Sequence, residues 1–222
     1  KLLDEVEIDL PLIAYKDTSS HVNIKVEYAY TPLDTIPIRY ENIEFPSSKY
    51  EKNNVVFLID VSSSMRGQDR LELLKKSMIQ LTYMLRSIDK VTIITYSDDA
   101  QIVLESTSAD SKEEIINVIK GLKVGGSTYG GKAIRKAFKV LKEQYLVSGN
   151  NQVILATDGG FNGLGKSENQ LNRFVKGKSK QGLHFSTLGF GKNKRGKDLI
   201  EALAISGSGE YLYIQTEVQA EV

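Results

Sequence analysis

The stretch Asn54 to Ser64 reads NVVFLIDVSSS. Its five consecutive apolar residues, Val55 to Ile59, show no polar alternation, which is the pattern of a strand buried on both faces inside a parallel sheet. The run stops at Asp60, and Ser62 and Ser64 then follow at alternate positions. A buried strand therefore delivers one carboxylate and two hydroxyls to its carboxyl end. In open parallel sheets that is the end where ligands bind, at the point where the winding direction reverses.

The same texture recurs further along the chain. Val91 to Tyr96 reads VTIITY, Val153 to Ala156 reads VILA, and Leu183 to Phe190 reads LHFSTLGF. Helical spacing separates these runs. Leu71, Leu74, Met78, Leu81 and Leu85 recur at three and four residues, one stripe laid on a core. Ser111 with Glu114 spells a capping box ahead of Ile115, Ile116, Val118 and Ile119. Ala133, Ile134, Ala137, Phe138, Leu141 and Tyr145 form another stripe, and two more helices are expected over 167–180 and 196–205, before a last strand at Tyr211 to Gln215. Alternating strands and helices predict an α/β fold, a doubly wound, mostly parallel sheet flanked by helices.

Before Lys49 the texture differs. His21 to Tyr30 alternates strictly, with Val22, Ile24, Val26, Tyr28 and Tyr30 on one face, as in a half-buried strand. Three of the four prolines fall nearby, at Pro32, Pro37 and Pro46. The expected organisation is a β-rich extension over 1–52, the α/β domain over 53–216 and a short tail over 217–222. The chain begins with Lys and shows no secretory signal, so it reads as a processed or excised piece.

Composition narrows the chemistry. The 222 residues hold no cysteine, which rules out a disulfide framework, a thiolate zinc site, an iron–sulfur cluster and a cysteine nucleophile. A formal net charge of +1 speaks against a nucleic-acid partner, which needs a concentrated basic face. Charge is uneven: ten acids face five bases over 1–51, and nine bases face Glu168 alone over 166–197. A solvated basic helix and loop accounts for the second stretch. No apolar run approaches the ~20 residues of a membrane-spanning helix.

The strand VILAT ends at a second acid, Asp158, which meets Asp60 at one rim if the two strands are neighbours. A third segment, Gly125 to Gly131, reads GGSTYGG and places Thr128 among glycines ahead of a helix. Two carboxylates with three hydroxyls are hard oxygen donors suited to Mg²⁺, Mn²⁺ or Ca²⁺. Five such oxygens leave a divalent ion able to take one more from outside, most naturally from a carboxylate.

Asp60-x-Ser62-x-Ser64, then Thr128, then Asp158 within Thr157-Asp158-Gly159 resemble the metal-ion-dependent adhesion site of von Willebrand factor type A domains. The resemblance covers roughly 53–215 and includes all five site positions in order. GGSTYGGKAI and ILATDGGFNG look most like bacterial members of the family. It implies that Ser62 and Ser64 ligate a divalent cation directly, Mg²⁺ foremost with Mn²⁺ or Ca²⁺ as alternatives, and that Thr128, Asp60 and Asp158 ligate directly or through water. It also implies a function in adhesion or assembly, with a protein partner whose Asp or Glu completes the ion's coordination. An extracytoplasmic location is favoured over a cytoplasmic one. Tyr129 and Phe161 flank the site and read either as an exposed aromatic edge or as packing on neighbouring loops.

Other motifs fail on inspection. Gly126 to Lys132 fits G-x-x-x-x-G-K, yet Ala133 lacks the hydroxyl a nucleotide-bound Mg²⁺ needs. Counting an EF-hand loop from Asp60 puts Met65 where glycine is required and Leu71 where glutamate is required. His21 and His184 lie in strand patterns and read as structural. No catalytic residue is assigned, and binding rather than turnover is expected. The competing readings are a Mg²⁺-dependent phosphoryl-transfer or hydrolytic enzyme and an assembly scaffold with a vestigial metal site. Singly, Ser62, Ser64 and Thr128 could also be helix caps, and Asp158 the start of a turn.

Overall fold

The run that begins at Val55 forms the central strand of a six-stranded sheet. The computed structural model describes residues 50–127, 129–159, 168–190 and 196–215, apart from the side chains of Gln68 and Asp69. The extension up to residue 49 with its alternating strand, Thr128, Phe161, the basic residues Lys166, Lys192, Lys194 and Arg195, and the tail 217–222 lie outside the described residues.

Strands β1 (Asn53–Asp60), β2 (Lys90–Tyr96), β3 (Ala100–Ser108), β4 (Asn150–Thr157), β5 (Leu183–Phe190) and β6 (Tyr211–Ile214) are ordered β3-β2-β1-β4-β5-β6. All neighbours are parallel except β2 and β3, which form an antiparallel pair. The chain winds outward from β1 through β2 to β3, then returns to the other side of β1 and winds outward through β4, β5 and β6. The winding reverses between β1 and β4, so the carboxyl ends of those two strands flank the crevice where such sheets bind ligands. The doubly wound fold expected from the sequence is the one observed.

Helices α1 (Arg70–Met84), α2 (Lys112–Lys120), α3 (Gly130–Glu143), α4 (Glu168–Ser179) and α5 (Lys197–Ser206) cover the sheet. Strand residues alternate between its faces. Val56, Leu58, Val153, Leu155 and Phe185 share one core with Ala137 and Phe138 of α3, Val175 of α4 and Leu203 of α5. Phe138 anchors it, stacked on Phe185 at a centroid distance of 5.6 Å and edge-on to Phe174. Leu71, Leu74 and Met78 of α1 and Ile115, Ile116 and Ile119 of α2 are buried as their spacing predicts. Each buried side chain of this size contributes roughly 1.5–3 kcal/mol.

Two expectations are corrected, and one strand lies where none was expected. Ser111 is the N-cap of α2, but its side chain makes no capping hydrogen bond, and its own N–H goes to the Ser108 carbonyl. Its ψ of 51° lies outside the extended region that aims a capping hydroxyl at the helix N–H groups, so the capping box is not formed. Tyr145 falls after the end of α3 and is 46% exposed, so it is not part of the core stripe. Strand β3 carries no strong sequence signature. It is an edge strand, with Ile102 and Val103 each 39% exposed, and its pairing with β2 is interrupted around Ser106, whose φ of 41° marks an irregularity.

The opposite end of the sheet is tied down by charge. Buried Asp89 accepts from the backbone N–H groups of Asn53 and Arg86, each at 2.8 Å, and pairs with the Arg86 guanidinium at 2.8 Å. Arg86 also donates to the carbonyls of Tyr50 and Glu51. Lys112 donates to the carbonyls of Thr82, Tyr83 and Leu85, which finishes the last turn of α1. Among the described residues no helix is long and apolar enough to cross a membrane.

Candidate functional site

Asp60 is the last residue of β1 and is fully buried. Both flanking strands hold it. Tyr96, opposite it on β2, donates its hydroxyl to Asp60 Oδ2 at 3.2 Å, and Thr157 at the end of β4 donates to the same oxygen at 2.8 Å. The Ser62 N–H donates to Oδ1 at 2.9 Å. Burial nevertheless dominates and pushes the carboxyl up to about 6, against the lowering effect of the hydrogen bonds from Ser62 and Thr157; the nearby charge of Asp158 raises it further. Burial, and after it the Asp60 charge, hold the Tyr96 hydroxyl well above its ordinary range, so it stays a donor.

After Asp60 the chain turns into a 3-10 segment, Ser63–Asp69. Fully buried Met65 anchors that segment, and its N–H donates to the Ser62 carbonyl. The hydroxyls of Ser62 and Ser64 stand 3.1 Å apart. Ser62 is the N-cap, yet its side chain makes no capping bond. The helix-capping alternative for this serine is therefore not what the structure contains.

The glycine loop is sewn to the same turn. Ser63 donates through both its N–H, at 3.0 Å, and its hydroxyl, at 2.9 Å, to the Gly126 carbonyl, and the Gly125 N–H donates to the Val61 carbonyl at 2.8 Å. Gly126 has φ +77°, and a Cβ there would run into the Asp98 carboxylate, which accepts from the Ser127 N–H at 2.8 Å. The Tyr129 N–H donates to the Ser97 carbonyl at 3.1 Å. Tyr129 is 52% exposed, so of its two readings the exposed one holds.

Asp158 directly follows β4 and is nearly buried, at 6% exposure. The next residue, Gly159, turns the chain with φ +83°. The Arg70 guanidinium, from the first residue of α1, meets Asp158 Oδ2 at 2.6 Å and donates to the Ser64 carbonyl at 2.9 Å. The structure thus gathers Asp60, Ser62, Ser64 and Asp158 at the reversal of the sheet.

Residues 55–161 match the family profile of the von Willebrand factor type A domain. The chain carries a von Willebrand factor type A domain. An uncharacterized Escherichia coli (strain K12) protein, YfbK, is 35% identical over 175 residues, covering 79% of this chain and 30% of that protein. The chain therefore spans less than a third of that relative's length. A solved von Willebrand factor type A structure from Catenulispora acidiphila superposes with a TM-score of 0.66 at 18% identity, covering 77% of this chain and 40% of that one. Proximal thread matrix protein 1 from the mussel byssus, solved with a zinc-occupied metal-ion-dependent adhesion motif, superposes with a TM-score of 0.58 at 21% identity, covering 74% of this chain and 42% of that one. Domains of this family are generally interaction modules, and the mussel protein holds zinc at its adhesion motif.

The donor chemistry of this A domain fits such an ion. Among the described residues no group of three or more carboxylate or imidazole side chains could hold a metal, so a cation at this rim depends on hydroxyls beside its two acids. Those hydroxyls are present and close together at Ser62 and Ser64. Asp60, buried and raised, is the kind of carboxyl that a cation returns to its charged form.

Three residues of the A domain site escaped the sequence reading. Tyr96 and Thr157 become its supports only once β2 and β4 are known to flank β1. Arg70 carried no local signal, because its partner Asp158 lies 88 positions away.

Proposed function

We propose that the domain is a divalent-cation-dependent protein-binding module, acting in adhesion or assembly. The observation that carries the proposal is the meeting of Asp60, Ser62, Ser64 and Asp158 at the reversal point of the sheet, with Asp60 gripped from both neighbouring strands. In this reading Ser62 and Ser64 present their hydroxyl oxygens to Mg²⁺, or to Mn²⁺ or Ca²⁺, and Asp60, Asp158 and Thr128 complete the protein's share. When bound, the ion supplies an electrophilic position that an Asp or Glu of a protein partner fills. The Tyr96 and Thr157 hydroxyls keep the Asp60 carboxylate aimed, and the bonds from Ser63 to Gly126 fix the turn that bears the serines against the loop that bears Thr128.

Binding rather than turnover belongs to this proposal. His184 is the second residue of β5 and so lies toward the amino ends of the parallel strands, away from this rim. The domain bounds 53–216 and an extracytoplasmic location are likewise proposed, and cell fractionation checks the latter. The functional test is a capture experiment from the source cells, with Mg²⁺ and again with chelator, using wild type and Asp60→Ala as baits. A partner retained by wild type with Mg²⁺ and lost both on chelation and with Asp60→Ala supports the reading. Partners indifferent to both treatments contradict it.

A further inference from the structure

We propose that Arg70 is a built-in cation that competes with a divalent ion for Asp158 and so holds down the metal affinity of the site. The inference rests on the metal reading above and adds its regulation. Arg70 is 8% exposed, and one nitrogen, Nη1, spans both halves of the site: it donates to Asp158 Oδ2 at 2.6 Å and to the Ser64 carbonyl at 2.9 Å. The acid beyond β4 and the hydroxyl turn beyond β1 are thus joined by one positive group.

Stability alone is a poor reason for this arrangement. Among the described residues the buried Nε of Arg70 has no hydrogen-bond partner. A buried ion pair with one donor unsatisfied recovers little of its desolvation cost. Its charge has a clearer effect. Asp60 and Asp158 sum to −2 and Arg70 brings the total to −1, so a divalent ion would leave +1 rather than 0. That surplus disfavours the ion alone and favours an acidic side chain arriving with it. Arg70 thereby makes cation retention depend on the partner.

The test is Mg²⁺ titration calorimetry on the full 222-residue chain as wild type, Arg70→Gln and Arg70→Lys. Arg70→Gln removes the charge and is expected to bind Mg²⁺ at least about tenfold more tightly. Arg70→Lys keeps it and is expected to stay within about threefold of wild type. A folded Arg70→Gln chain that binds Mg²⁺ no more tightly than wild type overturns the proposal. Should Arg70→Gln fail to fold, the wild-type Arg70 Nε–H resonance, identified by its loss in Arg70→Lys, decides instead. It is expected to shift as Mg²⁺ saturates, and a resonance that does not move overturns the proposal. Binding by Arg70→Gln alone, with none by wild type, supports it. Binding by neither folded chain shows that the metal reading itself has failed, and the proposal falls with it.

Discussion

Thr157 Oγ1 donates to Asp60 Oδ2 at 2.8 Å and accepts from the Gly159 N–H at 3.1 Å. One hydroxyl therefore joins the end of β4 to the end of β1 and opens the turn that carries Asp158. Thr157→Val keeps the branched shape and removes both bonds. It is expected to cost about 1–3 kcal/mol in urea unfolding, because a buried carboxylate oxygen and a buried N–H lose a partner. Mg²⁺ affinity should fall with it, and Thr157→Ser should restore most of both.

Gly126 is held at φ +77°, a conformation that side chains with a Cβ rarely adopt. Gly126→Ala forces the Asp98 carboxylate away and breaks its bond to the Ser127 N–H. The expected loss is about 1–3 kcal/mol, read as a drop of several degrees in Tm. Asp98→Ala, which removes that bond without the backbone strain, should lower Tm less.

Asp89 predicts a pH dependence remote from the site. Burial works to raise its carboxyl, but bonds from Arg86 and Asn53, with the Arg86 charge, outweigh it and hold it below the ordinary carboxylate range. A carboxyl lowered on folding contributes stability above its unfolded value, near 3.8, and loses that contribution as pH falls through the lower folded value. Asp89→Asn is therefore expected to destabilise by about 3 kcal/mol at pH 7, with the deficit shrinking toward pH 3. Denaturant midpoints across that range check the slope.

How far the sequence carries depends on whether an element is buried by its own residues or defined by its neighbours. Val55 to Ile59 and Val153 to Ala156 are buried on both faces and announce themselves as continuous apolar runs. Leu71, Leu74 and Met78, like Ala133, Ile134, Ala137, Phe138 and Leu141, follow one helical face into the core. Strand β3 is an edge with a wet side and an interrupted register, so its residues satisfy neither a continuous nor an alternating pattern. Ser111 and Glu114 have the spelling of a capping box without its backbone. At the site, Asp60, Ser62, Ser64 and Asp158 were legible because each sits at or just beyond a strand end. Tyr96, Thr157 and Arg70 were not, because their roles follow from strand order and from a contact spanning 88 positions.

The central claim is that the oxygens gathered around Asp60 hold a divalent cation. Titration calorimetry of Mg²⁺, and then Mn²⁺, into the purified chain measures this directly, with Asp60→Ala alongside and circular dichroism confirming that both are folded. The account predicts saturable binding at one site by wild type and none by Asp60→Ala. Equal binding by the two folded chains, or no binding by wild type and Arg70→Gln alike, would contradict it.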